Sequence, residues 1–202
     1  DEQPGGVVRG DRTDTLDHRP IRQLIEQQAK GKSFLNLFAY TAAATIHAAM
    51  GGAESSLSID LSNTYLDWAK RNLQLNKLDE SKHRLLRTDC LQWLKQDHKE
   101  TWDLIFLDPP TFSNSKKMDD LLDIQRDHVE LIGCSMKLLA NGGTLYFSTN
   151  LRSFKLDERL ATQFKLTDIS KKSIPEDFQR RGNIHFCFAI QHSQMNQTEG
   201  SE

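Results

Sequence analysis

The chain has 202 residues, of which 37% are apolar and 27% are charged. This apolar content suffices for the core of one domain, and it excludes a disordered or fibrous chain. Basic residues number 26 and acidic residues 28, so the net charge of -2 excludes binding to nucleic acid through bulk charge alone. A polyanionic partner would have to meet a local basic patch.

The three cysteines, Cys90, Cys134 and Cys187, are widely spaced, which favours neither a disulfide framework nor a zinc site. We therefore expect reduced thiols and no metal. No apolar run is long enough for a membrane span, and residues 1–6 lack a leader pattern. We expect a cytoplasmic protein with a loose connector over 1–15, one folded domain over 16–192 and a flexible tail over 193–202.

Short apolar runs alternate with segments of helical period from residue 33 onwards. Ser33–Phe38 predicts a strand, and Thr41–Met50 predicts an Ala-rich helix that ends at two glycines. Ser55–Asp60 predicts a second strand, and Ser62 is placed to cap the helix that follows. These residues predict two consecutive strand–helix units.

The alternation continues to residue 148. It predicts strands over 83–88, 103–107 and 144–148, a short helix around 91–94, and a long helix over Asp120–Leu139 that Asn141-Gly142-Gly143 ends. Five such alternations predict a parallel sheet with helices on both faces. A helix over 156–163, a basic loop over 171–183 and strands over 164–169 and 184–191 then predict an antiparallel edge hairpin. The fold class is α/β with a seven-stranded, mostly parallel sheet.

In an open sheet of this kind, ligands bind beyond the carboxyl ends of the strands. Asp60 ends the second predicted strand, 24 residues after Asn36, which is about the spacing at which an acidic side chain meets ribose hydroxyls. Alternatively, Asp60 only starts the helix at Ser62. Asp89 could accept the exocyclic amine of an adenine, and its spacing to Gln92 also resembles a capping box. For Asp89 the two roles can coexist.

The first turn after a strand reads Phe38-Ala39-Tyr40-Thr41-Ala42. It lacks the G-x-G-x-x-G pattern that lets a backbone approach a pyrophosphate, which argues against a dinucleotide cofactor. A ligand that has a nucleoside but no phosphates would tolerate alanine and tyrosine here. S-adenosylmethionine is such a ligand.

The sharpest local signal is Asp108-Pro109-Pro110-Thr111-Phe112. Two prolines after an apolar strand cannot continue a β-ladder, so they predict a rigid, extended segment beside the Asp108 carboxylate. A carboxylate next to a flat apolar surface suits a planar, hydrogen-bonding ring such as a flipped-out base. The alternative is a strand-ending Asp-Pro loop without a ligand.

Five stretches of the chain together resemble one protein family. They are Leu16-Asp17-His18-Arg19, Phe34–Thr41, Asp60 with the Trp68-Ala69-x-x-Asn72-x-x-x-Asn76 helix, Asp108–Lys116 and Gln125-Arg126-Asp127-His128. In these stretches the chain is similar to the class I S-adenosylmethionine-dependent methyltransferases of bacterial 23S ribosomal RNA, and in particular to the C-terminal half of bifunctional large-subunit enzymes. That half is assigned guanine-N7 methylation and the upstream half makes N2-methylguanine. The resemblance implies a Rossmann-like module of a larger polypeptide.

The resemblance also implies a methyl donor, S-adenosylmethionine, and the residues around it. The implied catalytic segment contains Asp108, Pro109, Pro110 and Phe112. The implied cofactor-binding residues are Arg19, Asn36, Phe38, Ala39, Tyr40, Thr41, Asp60, Leu61, Asp89, Cys90 and Asp108. One departure is Ala42, where the family more often has glycine.

Basic residues after the proline segment and near the end of the chain are candidates for contacts with RNA. They are Lys116, Lys117, Arg152, Arg180 and Arg181, with Asn150 as a candidate partner for the edge of the base. The implied partners are 23S ribosomal RNA and the upstream half of the same polypeptide. Charge runs are usually solvated faces, and His18 and His128 are expected to be solvated or structural.

The absence of a cysteine after the fifth strand argues against one of the possible methylation reactions. Relatives that methylate cytosine C5 need a cysteine, which follows their fifth strand in a Phe-Ser-Cys pattern. Here that stretch reads Phe147-Ser148-Thr149-Asn150. The sequence therefore favours guanine N7, whose lone pair can attack the methyl group directly, in line and without a covalent intermediate. The alternatives are guanine N2 or cytosine C5 as target, a non-catalytic RNA-binding module, a small-molecule methyltransferase and a nicotinamide oxidoreductase.

Overall fold

The computed structural model describes residues 18–113, 122–174 and 185–193. The predicted connector 1–15, residues 194–202 of the predicted tail, and the candidate RNA contacts Lys116, Lys117, Arg180 and Arg181 lie outside these ranges. The helices are α1 Arg19–Gln28, α2 Ala43–Met50, α3 Asn63–Leu75, α4 Cys90–Leu94, α5 Ile124–Lys137, α6 Arg159–Gln163 and α7 Ser170–Ser173. The strands are β1 Ser33–Leu37, β2 Ser55–Asp60, β3 His83–Arg87, β4 Trp102–Leu107, β5 Phe112–Ser113, β6 Leu122–Asp123, β7 Leu139–Thr149, β8 Phe164–Asp168 and β9 Phe186–His192.

The large sheet has the strand order β3-β2-β1-β4-β7-β9-β8. Its first five strands are parallel, and β9 runs antiparallel between β7 and β8. This confirms the predicted seven-stranded, mostly parallel sheet and its C-terminal edge hairpin. The strand order reverses between β1 and β4, so a ligand site is expected at the carboxyl ends of these strands. We call this side of the sheet the carboxyl edge.

Successive residues of the central strands pack on opposite faces of the sheet, as the period of a strand requires. Phe34, Leu104 and Tyr146 join Ile21 and Ile25 of α1 in one buried apolar cluster. Their chain neighbours Leu35, Ile105 and Phe147 join residues of α4 and α5 in the other cluster. Helices therefore cover both faces, which leaves the carboxyl edge open to a ligand.

Helix α1 is absent from the predicted elements. It has a proline in its first turn and buries Ile21 and Ile25, which lie four residues apart. Ile21, Leu24 and Ile25 have the i, i+3, i+4 spacing of a helix, so the sequence carries a periodic signal for α1, and the helix packs against α2 and the sheet. Within residues 18–113, 122–174 and 185–193, no helix is long and apolar enough to cross a membrane.

The predicted helix over Asp120–Leu139 is too long at both ends. Asp123 caps α5 by accepting the N–H groups of Gln125 and Arg126, so the helix starts at Ile124. The two residues before it form β6, which pairs with β5 in a short antiparallel ladder. The C-terminal helical prediction is also too long, since α6 covers only Arg159–Gln163.

The predicted stop Asn141-Gly142-Gly143 lies inside strand β7 and does not end α5. The pairing of β7 with β4 shifts register between Trp102 and Leu104, opposite this segment. Gly142 has φ 78°, and a Cβ on Gly143 would lie 2.8 Å from the carbonyl oxygen of Asp103. The glycines therefore permit an irregularity in the strand, which has the same local sequence signature as a helix end.

Replacing Gly51 with alanine is expected to lower the free energy of unfolding by about 3 kcal/mol. The added Cβ would lie 2.0 Å from the carbonyl oxygen of Glu26, so α1 and α2 would have to separate. Gly133→Ala in α5 is the matched control, because a Cβ there has open space, and it should gain about 0.5–1 kcal/mol. Urea denaturation of both variants measures the difference. Equal stabilities for the two variants would contradict this close approach of the helices.

Candidate active site

The loop from β1 to α2 has a backbone that ordinary side chains rarely adopt. Phe38, Tyr40 and Ala42 have φ angles of 57°, 52° and 57°. This left-handed region is the one that glycine adopts freely and other residues adopt at a cost of roughly 1–2 kcal/mol each. The loop therefore follows a path that a glycine-rich turn would take, although it contains no glycine.

Neighbouring elements hold this loop in place. The N–H of Phe38 donates to Cys90 Sγ at 3.3 Å, and the N–H of Ala39 donates to a carbonyl oxygen at the end of β2 at 2.9 Å. The carbonyl oxygen of Thr41 accepts the side-chain amide of Asn72 at 2.9 Å. Asn72 belongs to the α3 stretch that carried the family resemblance, and this contact gives it a role as an anchor of the loop.

Asp60 ends β2 and is half-buried. Its Oδ2 accepts the N–H of Tyr40 at 2.9 Å, and its Oδ1 accepts the N–H of Ser62 at 2.8 Å. Burial raises the pKa of Asp60, and these N–H donors act in the opposite direction. Asp60 therefore does more than start α3, because its hydrogen bond to Tyr40 also holds the loop with left-handed backbone angles. Each carboxylate oxygen has a second lone pair, which can accept a hydroxyl of a ligand.

Asp89 and Cys90 lie at the start of α4. Asp89 Oδ1 accepts the N–H groups of Leu91 and Gln92 at 2.8 and 3.3 Å, so Asp89 is the N-cap of α4. Cys90 is buried, and burial raises the pKa of its thiol. Its Sγ accepts the N–H of Phe38. Both residues therefore support the local structure, and their contacts with a cofactor stay predictions.

Asn36 faces α2 from the middle of the sheet. Its amide donates to Thr45 Oγ1 at 3.0 Å, and that oxygen lies 2.7 Å from Ser58 Oγ. All three side chains are buried. Asn36 is thus part of an internal polar network that joins β1, α2 and β2, and its predicted contact with a cofactor stays a prediction.

Asp108 follows β4 and lies in a cluster of polar side chains at the carboxyl edge. The Nε2 atom of His18 lies 3.4 Å from Asp108 Oδ1 and 2.8 Å from Ser148 Oγ, at the end of β7. His18 is only 5% exposed, so of the two expected roles, solvated or structural, the solvated one is excluded. His128 is buried as well, which leaves the structural alternative for both histidines.

Arg22 of α1 lies within electrostatic range of this cluster. Burial lowers the pKa of Arg22, the charge of Arg19 lowers it further, and the charge of Asp108 raises it. The Nε atom of Arg22 is buried without a hydrogen-bond partner among the described residues. Arg22 therefore lies near the Asp108 carboxylate although the two are far apart in the chain, and Arg19, a predicted cofactor-binding residue, lies near Arg22.

The ring of His185 packs against the ring of His18. The two rings are stacked with centroids 5.3 Å apart and an interplanar angle of 23°. His185 Nε2 lies 2.7 Å from Ser173 Oγ, whose hydroxyl donates to the carbonyl oxygen of Ser170. His185 Nε2 must therefore carry the hydrogen. Burial, followed by the charge of His18, lowers the pKa of His185 to about 4, so the ring is neutral at pH 7.

The segment after β4 and the segment after β7 frame this edge. Pro109 is buried and Pro110 is exposed, and β5 starts at Phe112. Asn150 and Arg152 are exposed just beyond β7. Thr149, which has the place of the cysteine in the C5-methylating relatives, is buried, and its hydroxyl accepts the N–H of Leu151 at 3.3 Å.

The Gln125-Arg126-Asp127-His128 stretch fastens the loop after β7 to α5. The side-chain amide of Gln125 makes two hydrogen bonds of 2.9 Å with the main chain of Lys155. His128 Nε2 accepts the N–H of Asp157 at 3.1 Å. A cavity of about 490 Å³ lies beside these residues. The stretch therefore supports the segment that carries Asn150 and Arg152.

Three residues of the carboxyl edge were missed by sequence reasoning: His18 as a contact of Asp108, Arg22 and His185. His18 stands in the Leu16-Asp17-His18-Arg19 stretch, which could have marked it as a candidate. Arg22 and His185 carry no local signal, since only the packing of α1 and the antiparallel course of β9 bring them there. In residues 18–113, 122–174 and 185–193, no three His, Cys, Asp or Glu side chains come together as a metal would require.

A sheet of this strand order, with carboxylates ending β2 and following β4 at its carboxyl edge, defines a class I methyltransferase fold. Residues 8–179 match the model of the S-adenosylmethionine-dependent methyltransferases, and the chain belongs to that family. This confirms the resemblance on which the choice of cofactor was based. The described residues also fit the cofactor, because the glycine-like loop adjoins the half-buried Asp60 carboxylate.

Curated relatives of high similarity are ribosomal RNA methyltransferases. The chain is 56% identical over 177 residues to ribosomal RNA large subunit methyltransferase K/L of Saccharophagus degradans, which covers 88% of this chain and 23% of that protein. It is 56% identical over 179 residues to ribosomal RNA large subunit methyltransferase K of Neisseria meningitidis serogroup B, which covers 88% of this chain and 50% of that protein. The chain therefore spans between about a quarter and half the length of these relatives.

Two solved structures share the fold. A putative methyltransferase complexed with SAH superposes with a TM-score of 0.71 and 28% identity, over 87% of this chain and 49% of that chain. A putative S-adenosylmethionine-dependent methyltransferase from Streptococcus mutans gives a TM-score of 0.69 and 26% identity, over 87% and 48% of the two chains. The similarity therefore covers most of this chain and about half of each structure.

Proposed function

We propose that this chain transfers a methyl group from S-adenosylmethionine to N7 of a guanine in 23S ribosomal RNA. Membership of the methyltransferase family supports the donor. The relatives that are named for methylation of large-subunit ribosomal RNA support the class of substrate. Thr149 argues against cytosine C5, because a buried threonine in place of a cysteine cannot form the covalent intermediate that C5 methylation requires. The resemblance to the C-terminal half that is assigned N7 methylation favours N7 over N2.

The remaining thiols support this choice. Cys90 and Cys187 are fully buried, and burial raises the pKa of both. Cys134 lies on α5, away from the carboxyl edge. Since a nucleophilic cysteine must reach its substrate as a thiolate, none of the three has the properties of a covalent catalyst.

The proposed chemistry asks the protein for orientation and charge rather than for a base. Guanine N7 has a lone pair and no proton, and the cofactor supplies an electrophilic methyl group on a sulfonium centre. The loop over residues 38–42 and Asp60 would hold the donor. Asp108 would place negative charge beside the ring on which positive charge develops. Orientation of two ligands can supply up to about 7–11 kcal/mol of the barrier.

The chain spans 23% of the length of its K/L relative, and we propose that it acts as one module of a longer polypeptide with an upstream methyltransferase half. Asn150 and Arg152 are exposed beyond β7, which ends beside β4 because Phe147 pairs with Leu107, and RNA would enter there. Lys116, Lys117, Arg180 and Arg181 stay candidate contacts on the same expectation. The basic residues among them would form the local basic patch that a chain of net charge -2 needs in order to bind RNA.

The test is incubation of the purified chain with unmodified 23S ribosomal RNA and labelled cofactor, followed by nucleoside mass spectrometry. We expect labelled 7-methylguanosine, and we expect S-adenosylhomocysteine to suppress it. Labelled 5-methylcytidine or 2-methylguanosine would overturn the choice of N7. Absence of label in RNA, with cofactor binding measured in the same preparation, would favour a non-catalytic module or a small-molecule substrate.

A further inference from the structure

We propose that His18 is a positioning residue that holds the Asp108 carboxylate for methyl transfer. This inference rests on the proposed function, and it concerns a residue to which neither the family match nor the sequence pattern assigns a role. His18 precedes α1, whereas Asp108 follows β4, so the contact arises only in the folded chain.

The geometry defines which atoms act. His18 Nε2 lies 3.4 Å from Asp108 Oδ1 and 2.8 Å from Ser148 Oγ. An ionised carboxylate can only accept hydrogen bonds, so the contact is favourable when Nε2 carries a hydrogen. A hydrogen on Nε2 then lies within reach of two acceptors, Asp108 Oδ1 after β4 and Ser148 Oγ near the end of β7. His18 thereby links the acidic residue after one strand to the neighbouring strand from which Asn150 and Arg152 extend.

The ring of His18 is held from both sides. His185 stacks on it with centroids 5.3 Å apart, and Phe106 meets it edge-on at 6.0 Å and 72°. His185 is itself fixed by the hydrogen bond to Ser173. A side chain restrained in this way can hold a neighbouring carboxylate within a few tenths of an ångström, which is what a catalytic group needs from its supporting residues.

Two variants separate the hydrogen bond from the packing. His18→Phe keeps an aromatic ring against His185 and Phe106 but has no N–H. His18→Gln loses the ring but can place its amide N–H near the same position. If His18 positions Asp108, kcat falls about 10- to 30-fold in His18→Phe and recovers to within about threefold of wild type in His18→Gln, while the KM for the cofactor stays within about threefold in both.

His83 provides the matched control. It is a buried histidine whose Nδ1 lies 3.0 Å from Ser56 Oγ, at the opposite edge of the sheet, where β2 and β3 start. His83→Phe removes a comparable histidine–serine hydrogen bond, and it should change thermal stability without changing kcat. A loss of kcat in His83→Phe equal to that in His18→Phe would overturn the proposal, because any buried histidine would then have the same effect.

A spectroscopic measurement tests the contact without activity. In long-range ¹H–¹⁵N spectra of the cofactor-free chain, we expect the Nε2 resonance of His18 to move in Asp108→Ala and to keep its position in Asp103→Ala. An unchanged resonance in Asp108→Ala, or equal kcat values for His18→Phe and wild type, would overturn the proposal. A wild-type chain that binds cofactor but methylates no RNA would contradict the proposed function, and the spectra would then decide whether His18 restrains Asp108.

Discussion

Asp108→Asn is expected to lower kcat for RNA methylation about 100-fold or more, with the KM for the cofactor changed by less than about threefold. Asparagine has nearly the shape of aspartate, and its carbonyl oxygen can still accept the hydrogen of His18 Nε2, which lies 3.4 Å from Asp108 Oδ1. The substitution therefore removes mainly the negative charge. If that charge stabilises the positive charge that develops on guanine, its loss appears in kcat. Single-turnover and steady-state methylation assays measure both constants.

Asp103→Asn is the matched control at the other end of the same strand. Asp103 Oδ2 accepts the N–H and the hydroxyl of Ser33 at 2.9 and 2.8 Å, far from the carboxyl edge. This variant should lose about 1 kcal/mol of stability and keep the wild-type kcat. A decrease of kcat by less than about threefold in Asp108→Asn would contradict a role for the charge, and it would favour a strand-ending Asp-Pro loop without catalytic function.

The second large effect is expected for Asp60→Ala, which should raise the Kd for S-adenosylmethionine about 100-fold in isothermal titration calorimetry. The Asp60 carboxylate has two functions in the proposed site. It offers free lone pairs to the ribose hydroxyls, and it accepts the N–H groups of Tyr40 and Ser62. Alanine removes the ligand contact and also the acceptor that holds the left-handed loop.

Asp79→Ala serves as control, because Asp79 also accepts an N–H and a hydroxyl, from Ser81, but in an exposed turn before β3. Its Kd should equal the wild-type value. Asp60→Asn should fall between the two, since one oxygen remains while the new NH₂ group faces an N–H donor. A Kd for Asp60→Ala within about threefold of wild type would mean that Asp60 only supports α3.

The order and type of the main elements could be predicted because their signals are local. Strand residues alternate between the two apolar clusters, and helices show their own period, so the strands β1 to β4 were predicted within one residue at each end. Capping is local as well, and Ser62 and Asp89 cap α3 and α4 as their spacing predicts. Asp60 and Asp108 could be chosen for the same reason, since each stands at the end of an apolar run.

Features that depend on contacts between distant parts of the chain could not be predicted. The glycines of β7 have the local signature of a helix end, and only the register of β4 shows that they lie within a strand. The left-handed angles of Phe38, Tyr40 and Ala42 depend on hydrogen bonds from β2 and α4.

The sequence by itself determined an α/β sheet, the family and the two carboxylates of the proposed site. Only the tertiary structure decided what surrounds them. His18 and Ser148 lie 130 residues apart in the chain, and His185 reaches the same place because β9 runs antiparallel to β7. Periodicity and capping act over a few residues, whereas the hydrogen bond of a buried side chain depends on which strands become neighbours, and no local pattern encodes that choice.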